Sequence, residues 1–192
     1  MVIIGAMDEH TLCVIYDCPL VNEFNTQQFF QHVSANLTQD INHLYLLLNT
    51  PGGGVNLGIA IYNFLESLPI KVTTHNFGQV DSIGNVIFVA GEERFATPSS
   101  TFLYHGIAVG VGQQISVVQL EEVLSQAKND EDRMTKILTV KTDYRASELK
   151  KFYSQGKSLT PREALAKKII DGIKEVKIEP VAKRLVIPTA KP

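Results

Sequence analysis

The chain has no tryptophan and only two cysteines, Cys13 and Cys18. Two thiols cannot build the disulfide framework of a small secreted domain. Nor do they find partners at zinc-ligand spacing elsewhere in the sequence. Both are therefore expected as buried thiols, since free cysteine is among the most buried residue types. Basic residues are not in excess: 18 Lys and Arg stand against 20 Asp and Glu, for a net charge of -2. That balance lacks the electropositive footprint of a nucleic-acid binder. No apolar run reaches bilayer length, so no membrane partner is expected. The opening Met1–Ala6 carries no basic segment and is soon followed by Asp8, Glu9 and His10. A secretory leader is not expected there, and the cytoplasm is the expected compartment. One glycine-rich turn is present, Gly52-Gly53-Gly54, but no GK[ST] follows it and no GxGxxG occurs. A nucleotide cofactor is thus not expected, nor any other cofactor or metal.

What is present is the make-up of an ordinary globular chain: 192 residues, 44% hydrophobic and 20% charged. That is enough for one domain with a substantial core. Strand-like and helix-like patterns alternate. Thr11–Tyr16 reads as a strand, and 21–37 as a helix with Phe29, Phe30, Val33 and Leu37 at helical spacing. His43–Asn49 is a continuous apolar run, the pattern of a strand buried on both faces of a parallel sheet. The glycine turn follows, then a helix over 55–68. Lys71–Phe77 and Thr101–Tyr104 read as further strands, with a buried helical run from Ile83 to Ala90 between them and a short strand at 95–97. A long, mostly polar helix spans about Ser116 to Thr142, with an apolar stripe thin enough to suit a helix that projects or packs on a partner. A short helix over 147–153 comes next. Thr160-Pro161-Arg162-Glu163 then has the cap, first-position proline and third-position glutamate of a helix start, and a last strand is expected over 173–178. The tail from 179 to 192 is expected to be extended or loosely ordered.

The stretch Gly78-Gln79-Val80-Asp81-Ser82-Ile83-Gly84 joins a strand to a helix. A serine there is either an N-cap or a nucleophile placed where unpaired amides and the helix dipole favour an oxyanion. The glycine turn is either a flexible connection or a cradle of bare N–H groups. In parallel α/β sheets, sites form at the carboxyl ends of strands. Gly53, Ser82 and His105 all fall at such ends. His32, beside an apolar stripe, is assigned no role.

With Leu48–Gly54, Gly78–Gly84, Tyr104-His105 and Leu159–Ala164 in this order, the chain resembles the proteolytic subunit family of Clp protease (ClpP) over about residues 10 to 178. The resemblance implies a ClpP/crotonase-like fold of repeated β-β-α units, in one domain over 1–178. The helix at about 116–142 would be the projecting handle that interlocks two rings face to face. It implies a serine peptidase with Ser82 as nucleophile, His105 as general base and the amides of Gly53 and Ile83 as oxyanion hole. The implied partners are further copies of the chain in a ring or stacked rings, peptide or unfolded-protein substrate, and an AAA+ unfoldase. One position departs from the pattern. Counting back from Glu163-Ala164, the family's acid falls on Gly156, flanked by Gln155 and Lys157. Asp81 also replaces the small apolar residue usual before the nucleophile. The expectation is therefore a peptidase that is slow, or that depends on a partner, for want of the third member. The alternative is a non-catalytic assembly protein on the same fold. A serine–lysine hydrolase would need Lys128 or Lys136 as base.

Overall fold

A computed structural model describes residues 8–19, 23–110, 114–177 and 183–187, with 23–25 and 183–187 traced as backbone. The opening Met1–Ala6, residues 111–113 of the expected break before the long helix, and most of the tail lie outside the described residues. Among the described residues the chain folds around an eight-stranded sheet whose main path runs in the order Lys157–Leu159, Thr101–Tyr104, Lys71–Asp81, His43–Thr50, Thr11–Asp17 and Lys183–Ile187. Strands β1 (Thr11–Asp17) and β2 (His43–Thr50) pair in parallel from Thr11↔His43 to Asp17↔Asn49. Their apolar runs are buried on both faces. Leu12, Val14, Leu44, Leu46 and Leu48 enter the main core, and Cys13, Tyr45 and Leu47 a smaller cluster with Val176. This is why alternation is absent from their sequences. Cys13 and Cys18 are both buried thiols and not disulfide-bonded. Burial raises the pKa of the Cys18 thiol.

Strand β3 (Lys71–Asp81) is longer than the sequence suggests, continuing through Gly78 to the residue before Ser82. It forks. Its first half pairs with β4 (Glu93–Ala96), Thr73↔Glu93 to Asn76↔Ala96, and its last residues pair with β5 (Thr101–Tyr104), Gln79↔Thr101 to Asp81↔Leu103. The register against β2 shifts between Leu48 and Thr50. Asn49 bridges that irregularity: its Oδ1 accepts from the Gln79 N–H at 2.8 Å, and its Nδ2 donates to Asp17 at 2.6 Å. Strand β6 (Lys157–Leu159) runs antiparallel to β5. β7 is only Gly172–Ile173, shorter than the expected strand over 173–178, and pairs with β4. β8 (Lys183–Ile187), from the tail expected to be extended or loosely ordered, adds in parallel to β1.

Helices α1 (Glu23–Asn36) and α2 (Val55–Glu66) cover the core face, bringing Phe29, Val33, Ile61 and Leu65 into it. α3 is confined to Gly84–Phe88, less than the run from Ile83 to Ala90, and every residue of it is buried. The long helix is α4 (Val117–Lys141), capped by Ser116 and Gln119 in a reciprocal box. Met134 and Leu138 pack into the domain, while Val117, Val118, Leu120 and Leu124 at its other end are exposed. α5 (Ala146–Gln155) follows, then α6 (Pro161–Ala166) with the expected Thr160–Glu163 capping box. Among the described residues, no helix is long and apolar enough to cross a membrane.

Candidate active site

Ser82 is not the cap of α3. The capping position is Ile83, and no side-chain hydrogen bond caps this helix. Ser82 instead forms the corner between β3 and α3 with φ of 55°. This left-handed conformation is uncommon for a residue with a Cβ and costs about 1–3 kcal/mol, so the surrounding contacts must hold it. Those contacts are visible. The Ser82 N–H donates to the Leu103 carbonyl at 2.8 Å. The buried Asn85 side chain donates from Nδ2 to the Ser82 and Leu103 carbonyls at 3.0 and 2.9 Å, tying the corner to β5. The sequence reading missed Asn85; its signal was a lone amide inside an otherwise apolar run.

The glycine turn closes over the same corner. Gly52 has φ of +87°, and a β-carbon there would lie 2.8 Å from both the Asp81 carbonyl oxygen and Ser82 Cβ. Gly53 has φ of 142°. The Gly52 N–H donates to Thr50 Oγ1 at 3.2 Å, fixing the turn to the end of β2. Thr50 also packs its methyl where a side chain on Gly84 would stand. Only residues without a Cβ allow β2, β3 and α3 to approach this closely. The Ile83 amide opens α3, where a helix has no preceding carbonyl of its own to bond.

His105 follows the last residue of β5. Leu103 links it to the serine corner, since Leu103 receives the Ser82 N–H and pairs with Asp81. The His105 Nδ1 is 2.7 Å from the Gly106 carbonyl. A carbonyl can only accept, so Nδ1 carries the proton in this arrangement and Nε2 presents its lone pair. The loop after His105 meets α4 and α5. The Ile107 N–H approaches Glu131 Oε1 at 3.4 Å, and Gly106 abuts the Tyr153 carbonyl. Beside it, a cleft of about 410 Å3 opens between α4 and α5, lined by Lys128, Glu131, Asp132, Thr135, Lys150, Tyr153 and Ser154.

The antiparallel register Phe102↔Leu159, Leu103↔Ser158, Tyr104↔Lys157 leads to His105 and Gly156 as the next pair beyond the ladder. Gly156, the position reached by counting back from α6, thus lies one residue beyond the ladder, as His105 does on the other strand. Gly156 has φ of +71°, with nothing within 4 Å of where its β-carbon would be. Asp81 lies on the other flank of β5. Burial raises the pKa of its carboxyl, with the Leu103 backbone and the His105 ring acting in the opposite direction. Lys128 and Lys136 are both exposed on α4.

Fold and site together define an α/β protein with a strained serine corner at the carboxyl edge of a largely parallel sheet, a glycine turn against it and a histidine just past the end of the adjoining strand. The sequence model of the Clp protease family matches residues 10–177. The chain belongs to that family. It is 31% identical over 133 residues to the ATP-dependent Clp protease proteolytic subunit of Leuconostoc citreum, covering 67% of this chain and 65% of that one. It is 28% identical over 158 residues to the subunit of the same name from Lactococcus lactis subsp. cremoris, covering 81% and 77%. The Streptococcus uberis subunit is likewise 28% identical over 158 residues, covering 81% and 79%.

Proposed function

We propose that the chain is a Clp-type serine peptidase subunit that hydrolyses peptide bonds through Ser82 and His105. The observation that carries this reading is Ser82 at φ of 55°, held against Gly52 and bonded to the strand that ends at His105. A strained corner that serves neither as cap nor as packing fits a side chain presented for chemistry. His105 Nε2 takes the Ser82 hydroxyl proton as Oγ attacks the scissile carbonyl. The resulting oxyanion is received by the Gly53 and Ile83 amides, a contribution typically worth on the order of a hundredfold or more in rate. The imidazolium then gives its proton to the departing amine. Water, deprotonated by the same ring, releases the acyl group and regenerates the serine. Throughout, the Gly106 carbonyl keeps the ring in the tautomer that accepts at Nε2. The three relatives named above are proteolytic subunits of an ATP-dependent Clp protease, and this supports a chamber of several copies that works with an AAA+ ATPase. The exposed apolar side chains of α4 supply a surface for self-association.

The test is intact-mass analysis after incubation with a fluorophosphonate. The expected result is one adduct, on Ser82, that is lost in Ser82→Ala and His105→Ala while the oligomer persists. Peptide cleavage by Ser82→Ala would overturn the reading. Gly156 favours a second one, a non-catalytic assembly protein, because it puts no carboxylate beside the histidine. That reading expects a folded oligomer with no adduct.

A further inference from the structure

The histidine of a serine triad needs two things from its third member: a fixed ring orientation and a negative charge to balance the imidazolium. The Gly106 carbonyl, 2.7 Å from Nδ1, supplies the first. It carries no net charge and cannot supply the second. The strand register points to the group that does. Asp81 pairs with Leu103 in parallel, so the two side chains stand on the same face of the sheet. His105, two residues on, returns to that face. Burial follows the same alternation: Val80, Phe102 and Tyr104 are buried in the core, while Asp81, Leu103 and His105 are all only partly buried on the site face. The Oδ1 atom of Asp81 is nonetheless shut off from solvent and has no hydrogen-bond partner. A desolvated carboxylate oxygen left unpaired is costly. It is explained if its partner is a charge that appears only during turnover.

We infer that Asp81 is the positioning carboxylate of His105, balancing the imidazolium from β3 while the Gly106 carbonyl holds the ring. This rests on the reading of Ser82 and His105 as nucleophile and base. The other charged groups around the histidine do not fit the role as well. Glu131 on α4 is turned to the Ile107 N–H, and Lys157 on β6 carries the wrong sign and pairs with Glu163 at 3.0 Å.

The experiment uses the full chain, a fluorogenic peptide and the fluorophosphonate, with Asp81→Asn, Asp81→Ala and Glu131→Gln variants. Asp81→Asn is expected to lower kcat on the order of a hundredfold or more with KM changed little, because the charge matters in the transition state and not in substrate binding. Asp81→Ala is expected to fall similarly and to be restored at least about tenfold by added formate, a small carboxylate able to occupy the vacated space; His105→Ala gains nothing from formate. Glu131→Gln is expected to stay near wild type. Wild-type kcat in both Asp81 variants, alongside dead Ser82→Ala and His105→Ala, overturns the inference and leaves the peptidase reading standing. Loss in both Asp81 variants without formate rescue also overturns it, the loss then being structural. An unlabelled wild type, or a cleaving Ser82→Ala, removes the peptidase reading and this inference with it.

Discussion

His105 and Gly156 each stand one residue beyond the Tyr104↔Lys157 pair that ends the antiparallel β5–β6 ladder, and the space where a Gly156 side chain would stand is empty. On the proposed reading Gly156 takes the position of the acid and carries no carboxylate. Restoring it is the most direct test of the site. Gly156→Asp is expected to raise kcat for peptide cleavage about tenfold or more, and Gly156→Ala is not. A triad acid can be worth about ten-thousandfold; the gain here is smaller because φ of +71° strains any side chain. The same strain is expected to lower the melting temperature of both variants by a few degrees. Equal kcat in Gly156→Asp and Gly156→Ala would argue that the histidine cannot use a carboxylate from that side.

Gly52→Ala should be far more damaging to activity than its size suggests. Its β-carbon would meet the Asp81 carbonyl and Ser82 Cβ at 2.8 Å, both part of the serine corner, at a φ of +87°. Either the glycine turn or the corner must move by several tenths of an ångström. Since a misplacement of about 1 Å at a reacting centre can cost a hundredfold, kcat is expected to fall by at least about tenfold. Denaturant titration is expected to show a loss of about 1–3 kcal/mol. Gly110→Ala, in open space, is the control and should do neither.

Much of this arrangement was legible in the sequence, and the unread part has specific causes. The apolar runs of β1 and β2 announced a parallel sheet because burial on both faces erases alternation. The Thr160 capping box and the length of α4 were local signals and came through unchanged. The end of β3 did not, because Gly78 and Asp81 are poor strand formers by propensity. They are extended here through the backbone pairing with β5 and the Asn49 bridge, both long-range effects. The cap reading of Ser82 was open for the same reason: only three-dimensional contacts show that Ile83 takes the capping position. Gly156 could be reached by counting in the sequence, but the β5–β6 register that ends one residue short of it and of His105 had to be seen.

Asp81 connects stability to chemistry. Burial raises the pKa of its carboxyl, so the folded chain holds that proton more tightly than the unfolded one. A carboxyl with a raised folded pKa contributes stability that is present below the unfolded value and is lost as pH rises through the folded one. Asp81→Asn, permanently neutral, is therefore expected to melt slightly higher than wild type at pH 7–8, with the difference vanishing near pH 3. If the carboxylate is kept for His105, the stabilised variant is also the slower one, as strained or desolvated functional groups commonly require. A lower melting temperature for Asp81→Asn at pH 7–8 would mean that the charge stabilises the fold and that its burial has another cause.

The acid sensitivity of the fold should come from a different residue. His75 is fully buried on β3. Its Nδ1 is 2.9 Å from the Tyr45 hydroxyl and its Nε2 is 3.1 Å from the Lys174 carbonyl. These partners suit the neutral ring, which accepts at Nδ1 and donates at Nε2. Burial first, and the Lys174 charge second, push its pKa down from 6.5 to about 4, against the pull of the Lys174 carbonyl. His43, also lowered by burial, acts in the same direction. A base with a depressed folded pKa contributes stability that is complete above the unfolded value and is lost as pH falls through the folded one, because the unfolded chain binds the extra proton. Stability against urea is therefore expected to fall between about pH 6.5 and pH 4, by up to a few kcal/mol. His75→Gln can retain a donor and an acceptor without titrating, so it should flatten most of that decline while being somewhat less stable at pH 7.5. If His75→Gln follows the wild-type slope across that window, the acid lability lies with other groups and the buried pair with Tyr45 is only structural.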